Sequence, residues 1–127
     1  MTRRLDITED QWMTTVGDML DLYRWRWFHP RPLRRASGKW ETALSGNAGF
    51  VDIVALRPPE AHFLELKSET GRVAPAQQAW HRDLAACGLS VHVIRLPQDL
   101  DFLKGLLAPN PARQTLTSTS TSFDWRT

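Results

Sequence analysis

Asp52, Glu65 and Lys67 are the residues of this chain whose types and spacing could do chemistry together. They sit on two apolar runs of strand length, Phe50 to Leu56 and Ala61 to Lys67. Between the runs, Arg57-Pro58-Pro59-Glu60 forbids a continuous helix and predicts an antiparallel hairpin. A four-residue loop there sets Leu56 opposite Ala61 and, counting back, Asp52 opposite Glu65. Directly opposed residues share a face, with β-carbons about 4.5–5.5 Å apart. Lys67 shares that face because side chains alternate, while Leu64 and Leu66 point to the other face and a core. Two facing carboxylates repel each other, and a divalent cation removes the repulsion. Magnesium binds few carboxylates and keeps waters, which leaves sites for a phosphate oxygen and a nucleophilic water. A lysine beside it can stabilise charge building on phosphorus. These residue types suit metal-assisted phosphodiester hydrolysis. A glycosidase pair would use both acids but leave the lysine no task. On solvent-facing edge strands the three would be ordinary surface charges, Glu65 pairing with Lys67.

The elements that must position these residues are readable on either side of the hairpin. Thr8-Glu9-Asp10-Gln11 has the form of a capping box, and Trp12, Val16, Met19, Leu20 and Tyr23 follow at helical spacing. They predict a first helix over Thr8 to Trp25. His29 to Gly38, with two prolines, reads as a loop; Lys39 to Leu44 reads as a short strand, and Ser45 to Gly49 as a turn. Pro75 suits a first helical position and Gly88 the position past a helix end, which brackets a second helix over Pro75 to Cys87 with Trp80 and Leu84 inward. Ser90 to Leu96 is a further strand, and Pro97 opens a last helix through Leu107. The expected fold is α/β, a mixed sheet flanked by helices in the order α-β-β-β-α-β-α.

At 127 residues, with 42% hydrophobic and 24% charged residues, the chain has the composition of one globular domain. Residues 1–107 are expected to form it. Residues 108–127, rich in Ser and Thr, are expected to be a flexible polar tail. No CxxC or HExxH pattern is present, so a structural zinc site is not expected. The lone Cys87 has no internal disulfide partner and reads as a small buried residue near a helix end. The start of the chain lacks a signal-peptide pattern and no apolar run approaches bilayer length, so a cytoplasmic location without membrane contact is the expectation. Net charge is only +2, yet Arg24, Arg26, Arg31, Arg34, Arg35 and Lys39 cluster with no intervening acid and with Trp25, Trp27, Phe28 and Trp40 among them. Such a segment can contact nucleic acid, or be a solvated loop anchored by its tryptophans.

Asp52 followed a strand later by Glu65-Leu66-Lys67 resembles the signature of the PD-(D/E)XK nuclease superfamily. Gly49-Phe50-Val51-Asp52 resembles the Gly-x-Pro-Asp of its VRR-Nuc family, with Val51 standing where proline is common. Phe63 to Lys67 with Gly71-Arg72 resembles the family's Glu-x-Lys strand and following loop. Gln77-Gln78-Ala79-Trp80, then Leu84 and Gly88, resembles its Gln-x-x-Trp helix. The likeness reaches back to Glu9, Gln11 and His29 and spans Thr8 to Leu107. It implies a restriction-endonuclease-like fold in which Asp52, Glu65 and the main-chain carbonyl of Leu66 hold Mg2+, or Mn2+, with Glu9 as a further ligand through water. It implies that Lys67 orients the water and stabilises charge, and that Gln77 positions Lys67 or the scissile strand.

The resemblance implies a DNA endonuclease, structure-selective and resolvase-like on branched DNA such as four-way junctions, acting as a homodimer. Arg31, Arg34, Arg35, Lys39 and Arg72 are the expected DNA contacts. The alternatives are a catalytically inactive DNA-binding accessory protein that keeps the fold, and a protein-interaction module built on the tryptophans. Trp80 reads as a core residue rather than a base-stacking platform. His62 alternates off the active face toward solvent, and His81 and His92 show no partner that would make them catalytic.

Overall fold

The computed structural model describes residues 8–30, 33–34, 40–41 and 45–110, of which 33–34 and 40–41 are described by their backbone. Arg31, Arg35 and Lys39, and the tail beyond residue 110, lie outside the described residues.

The first helix, α1 (Glu9–Leu22), starts as its sequence predicts: Thr8 Oγ1 accepts from the Gln11 amide, and the Gln11 side chain accepts from the Thr8 amide. It stops three residues before the expected end. Arg24 adopts a left-handed φ of 63° and the Trp25 amide closes back on Leu20 O, which turns the chain into β1 (Arg26–Phe28). Gly17 is buried on α1 because the Trp27 ring lies against it; a β-carbon there would meet Cη2 at 2.9 Å.

β2 (Leu33–Arg34) and β3 (Trp40–Glu41) form a small antiparallel ladder, so part of the expected loop before Gly38 is strand. Then come β4 (Ile53–Arg57), β5 (Glu60–Ser68), α2 (Pro75–Ala86), β6 (Ser90–Leu96) and α3 (Leu100–Leu107). Five strands thus precede α2 among the described residues where three were expected. Pro97 to Asp99 is a turn, so α3 starts later than Pro97.

The central sheet is mixed, in the order β1-β4-β5-β6. β4 and β5 pair antiparallel with Leu56 opposite Ala61, the register that alternation and the diproline turn require. β5 and β6 pair parallel, with α2 as the crossover between them. One face of the sheet carries Ile53, Ala55, Leu64, Ile94 and Leu96, which pack with Val16, Leu20, Leu103 and Leu107 of α1 and α3 into a buried core. Leu66 packs on the same core, half-buried. The other face carries Val54, Phe63, Glu65, Lys67 and Val93, and α2 lies over its β6 side.

Arg57 ties the hairpin to both helices of the core side. Its Nη1 donates to Tyr23 O and to Leu107 O, each at 2.9 Å, and its Nη2 to Glu60 at 3.0 Å, while the guanidinium lies 4.2 Å from the Trp25 ring centre. His62 corrects an expectation. It does lie off the Asp52 face, but it is buried beneath Trp25, with Nδ1 2.7 Å from Ser90 Oγ, rather than in solvent. His92 Nε2 approaches the same hydroxyl at 2.9 Å. Cys87 is exposed rather than buried, because it is the C-cap of α2 and faces outward as the helix ends.

Candidate active site on the α2 face of the sheet

Asp52 stands one residue before β4, and the hairpin register continued by one step places it across from Glu65. Two hydrogen bonds extend the ladder there through side chains. The Asp52 amide donates to Glu65 Oε2 at 3.1 Å, and the Leu66 amide donates to Asp52 Oδ2 at 2.8 Å. Each acid therefore spends one oxygen bracing the other strand's backbone. The Asp52 carbonyl in turn lies 2.7 Å from Nδ1 of His29, at the end of β1. A carbonyl can only accept, so His29 Nδ1 is the donor in this contact.

Glu65 is fully buried, and its second oxygen, Oε1, has no hydrogen-bond partner among the described residues. Burial pushes its carboxyl up from 4.5 to about 8, assisted by a hydrogen bond with the Asp52 carboxylate and by that group's charge, against the opposing pull of Lys67. Glu65 therefore holds its proton to higher pH than an ordinary glutamate. Lys67, two residues on, shares the face, and its ammonium makes no hydrogen bond or ion pair among the described residues.

The segment before Asp52 is held against α2. Gly49 has φ +94°, and a β-carbon on it would lie 2.6 Å from the Ala76 backbone carbon, so only glycine fits. Trp80 Nε1 donates to Ala48 O at 3.0 Å, and its ring meets Phe50 edge-on at 4.9 Å, with Phe63 beyond. Trp80 is thus a packing residue that fixes the loop leading into the site. Gln77 accepts the Ala74 amide at 2.9 Å, capping α2 with its side-chain oxygen.

The sequence offered His81 no partner that would make it catalytic, and the structure places it in the layer between α2 and the sheet. Gln77, Trp80, His81 and Leu84 recur at the spacing of one helix face, and that stripe was the available signal. His81 Nε2 is buried without a hydrogen-bond partner. Burial lowers its pKa, Lys67 lowers it further, and Asp52 raises it, so the imidazole lies within electrostatic reach of both.

Glu9 is exposed in the first turn of α1, the helix that packs on the opposite face. Among the described residues no three histidine, cysteine or acidic side chains converge as a metal-holding group. The site as it stands offers the Asp52–Glu65 pair, in which each acid keeps one oxygen that is not spent on the neighbouring strand's backbone. Arg72 is exposed in the loop between β5 and α2, where a cleft of about 640 Å³ is lined by Arg72, Arg95, Gln78 and the start of α2. Arg95 Nη1 donates to Ser68 O and Gly71 O and so holds that loop. Of Arg34 the backbone lies in β2. No helix among the described residues is long and apolar enough to cross a membrane.

No family model, curated protein or solved structure matches this chain.

Proposed function

We propose that this chain is a divalent-metal-dependent DNA endonuclease of the VRR-Nuc kind, with a restriction-endonuclease-like arrangement of its sheet and helices. The single observation that carries the reading is Glu65: a fully buried acid facing Asp52, with one oxygen unsatisfied. A structural sheet gains nothing from such a pair, and a buried unpartnered oxygen is a costly omission unless a ligand completes it. Oxygen donors on two acids, with the adjacent Leu66 carbonyl, fit a hard cation such as Mg2+ or Mn2+. That ion, when bound, supplies Lewis acidity and neutralises charge on the phosphate.

The chain's own residues do the rest. Asp52 and Glu65 fix the donor oxygens, Asp52 braced by the Leu66 amide and Glu65 by the Asp52 amide. Lys67 donates to a phosphate oxygen and to the attacking water, which forms its bond to phosphorus as the bond to the leaving sugar oxygen breaks. Binding a cation requires Glu65 to give up its proton, so apparent metal affinity rises up to about tenfold per pH unit below about pH 8. Branched DNA is the proposed substrate and a homodimer the proposed assembly, with Arg72 among the phosphate contacts.

The test is a cleavage assay on duplex, flap and four-way-junction DNA with Mg2+ omitted or added. Metal-dependent cutting that vanishes in Asp52→Ala while binding persists supports the nuclease. Binding without cutting supports the accessory protein, and no DNA affinity at modest salt removes both.

A further inference from the structure

His81 is placed on the sheet-facing stripe of α2, one turn after Gln77 and next to Trp80, which pins the loop before Asp52. Its Nε2 is shut off from solvent and has no partner. A nitrogen so placed is turned away from any bound DNA strand and toward the neighbouring side chains of the protein. Two charged groups act on the ring, Lys67 and Asp52. Both Asp52 oxygens are acceptors, and Oδ2 already holds the Leu66 amide. Lys67, by contrast, carries three donors, and its ammonium is unpartnered among the described residues.

The geometry points to His81 as a positioning residue for Lys67: its imidazole accepts a hydrogen bond from one ammonium N–H and so aims the other two N–H groups at the phosphate and the water. The inference rests on the nuclease reading for its purpose, but the contact itself stands or falls separately. A neutral ring is required, since an imidazolium would repel the lysine, and burial together with Lys67 favours the neutral form. The ammonium sits on a flexible four-carbon stem and has no fixed direction of its own. An acceptor behind it supplies that direction. The arrangement parallels the outer partners that orient metal ligands, whose loss costs about 10- to 100-fold.

Two measurements on the full chain test this. The chain has only three lysines, Lys39, Lys67 and Lys104, so each side-chain ammonium can be assigned by NMR in isotope-labelled protein. Nuclear Overhauser contacts between the His81 ring and the Lys67 Cε protons in the unaltered protein are expected. Their absence overturns the proposal. At one fixed pH, His81→Ala should move the Lys67 Nζ signal and leave Lys104 in place, while His81→Gln, which retains an acceptor, should hold Lys67 nearer its original position. A Lys67 signal indifferent to His81→Ala overturns it as well.

In the cleavage assay, His81→Ala should lower kcat by about 10- to 100-fold with KM little changed, and His81→Gln should recover part of that loss. An equal fall in both variants marks a packing role and counts against the inference. If the unaltered protein cuts no DNA, the nuclease reading fails while the NMR contact still decides the role of His81.

Discussion

On the α1 and α3 side of the central sheet, Ile53, Leu64 and Ile94 meet Val16, Leu20, Leu103 and Leu107, and the buried polar side chain there, His62, reaches a hydroxyl on Ser90. On the α2 side, Glu65 is inaccessible but has an oxygen with no hydrogen-bond partner among the described residues, and Lys67 and the Nε2 of His81 likewise have none there. One face is built on apolar burial, and its polar side chains Arg57 and His62 each hold at least one hydrogen bond. The other keeps unsatisfied polar groups, the pattern on which the proposed nuclease site rests. The two faces share strands, so a strand residue serves one or the other according to parity alone.

That contrast can be broken or sharpened by substitution. The largest expected effect is on activity: Asp52→Ala abolishes cutting, and Lys67→Ala lowers it by about 10²- to 10³-fold, read in single-turnover cleavage. Neither should unfold the chain, as circular dichroism would verify. Next, Leu64→Ala on the core face should cost about 2–5 kcal/mol in urea unfolding, because its fully buried side chain leaves a cavity. If Leu64→Ala instead spared stability, the division of labour between the faces would be wrong.

A third, smaller effect has the opposite sign. Glu65 holds its proton up to about pH 8 when folded but only to about 4.5 when unfolded, so the folded chain binds more protons between those values. The stability Glu65 contributes is therefore complete below 4.5, falls as pH rises through that window and is gone above about 8. Glu65→Gln cannot ionise, so it should gain stability relative to the unaltered chain as pH rises from 5 to 9 without metal, followed by thermal melts. A parallel loss in both proteins would show that Glu65 is not the titrating group. The smallest effect belongs away from both faces: Thr8→Ala removes the α1 cap and should cost about 1 kcal/mol, with cleavage unchanged.

Much of this was legible in the residues, for identifiable reasons. The Pro58-Pro59 turn allows few registers, and alternation then fixes which face each side chain takes, so Asp52 across from Glu65 followed from counting. Thr8 with Gln11 marks a helix start through local hydrogen bonding, and Pro75 and Gly88 mark helix ends through their backbone conformations, both of which sequence displays directly. β1 was hidden. Its three residues continue the apolar spacing of α1, and the break rests on Arg24 in a left-handed conformation, which only glycine or asparagine would have advertised. The depth of His62 depends on Trp25 folding over it, a contact made by distant parts of the chain. The unsatisfied Glu65 oxygen was equally invisible, because alternation gives a side chain's direction but not what meets it there. His81 differs from these, since its place on the Gln77–Leu84 stripe was in plain view.

The Arg57 clamp has a consequence for how the molecule comes apart. One guanidinium at the end of the β4 strand holds the closing carbonyls of two helices, Tyr23 O just past α1 and Leu107 O at the end of α3. Neither helix terminus can fray without surrendering a bond to the hairpin, and the hairpin cannot open without releasing both. Local melting is thereby tied to global melting, so amide protons of the α3 end and of the β4–β5 ladder should exchange with solvent through the same opening event.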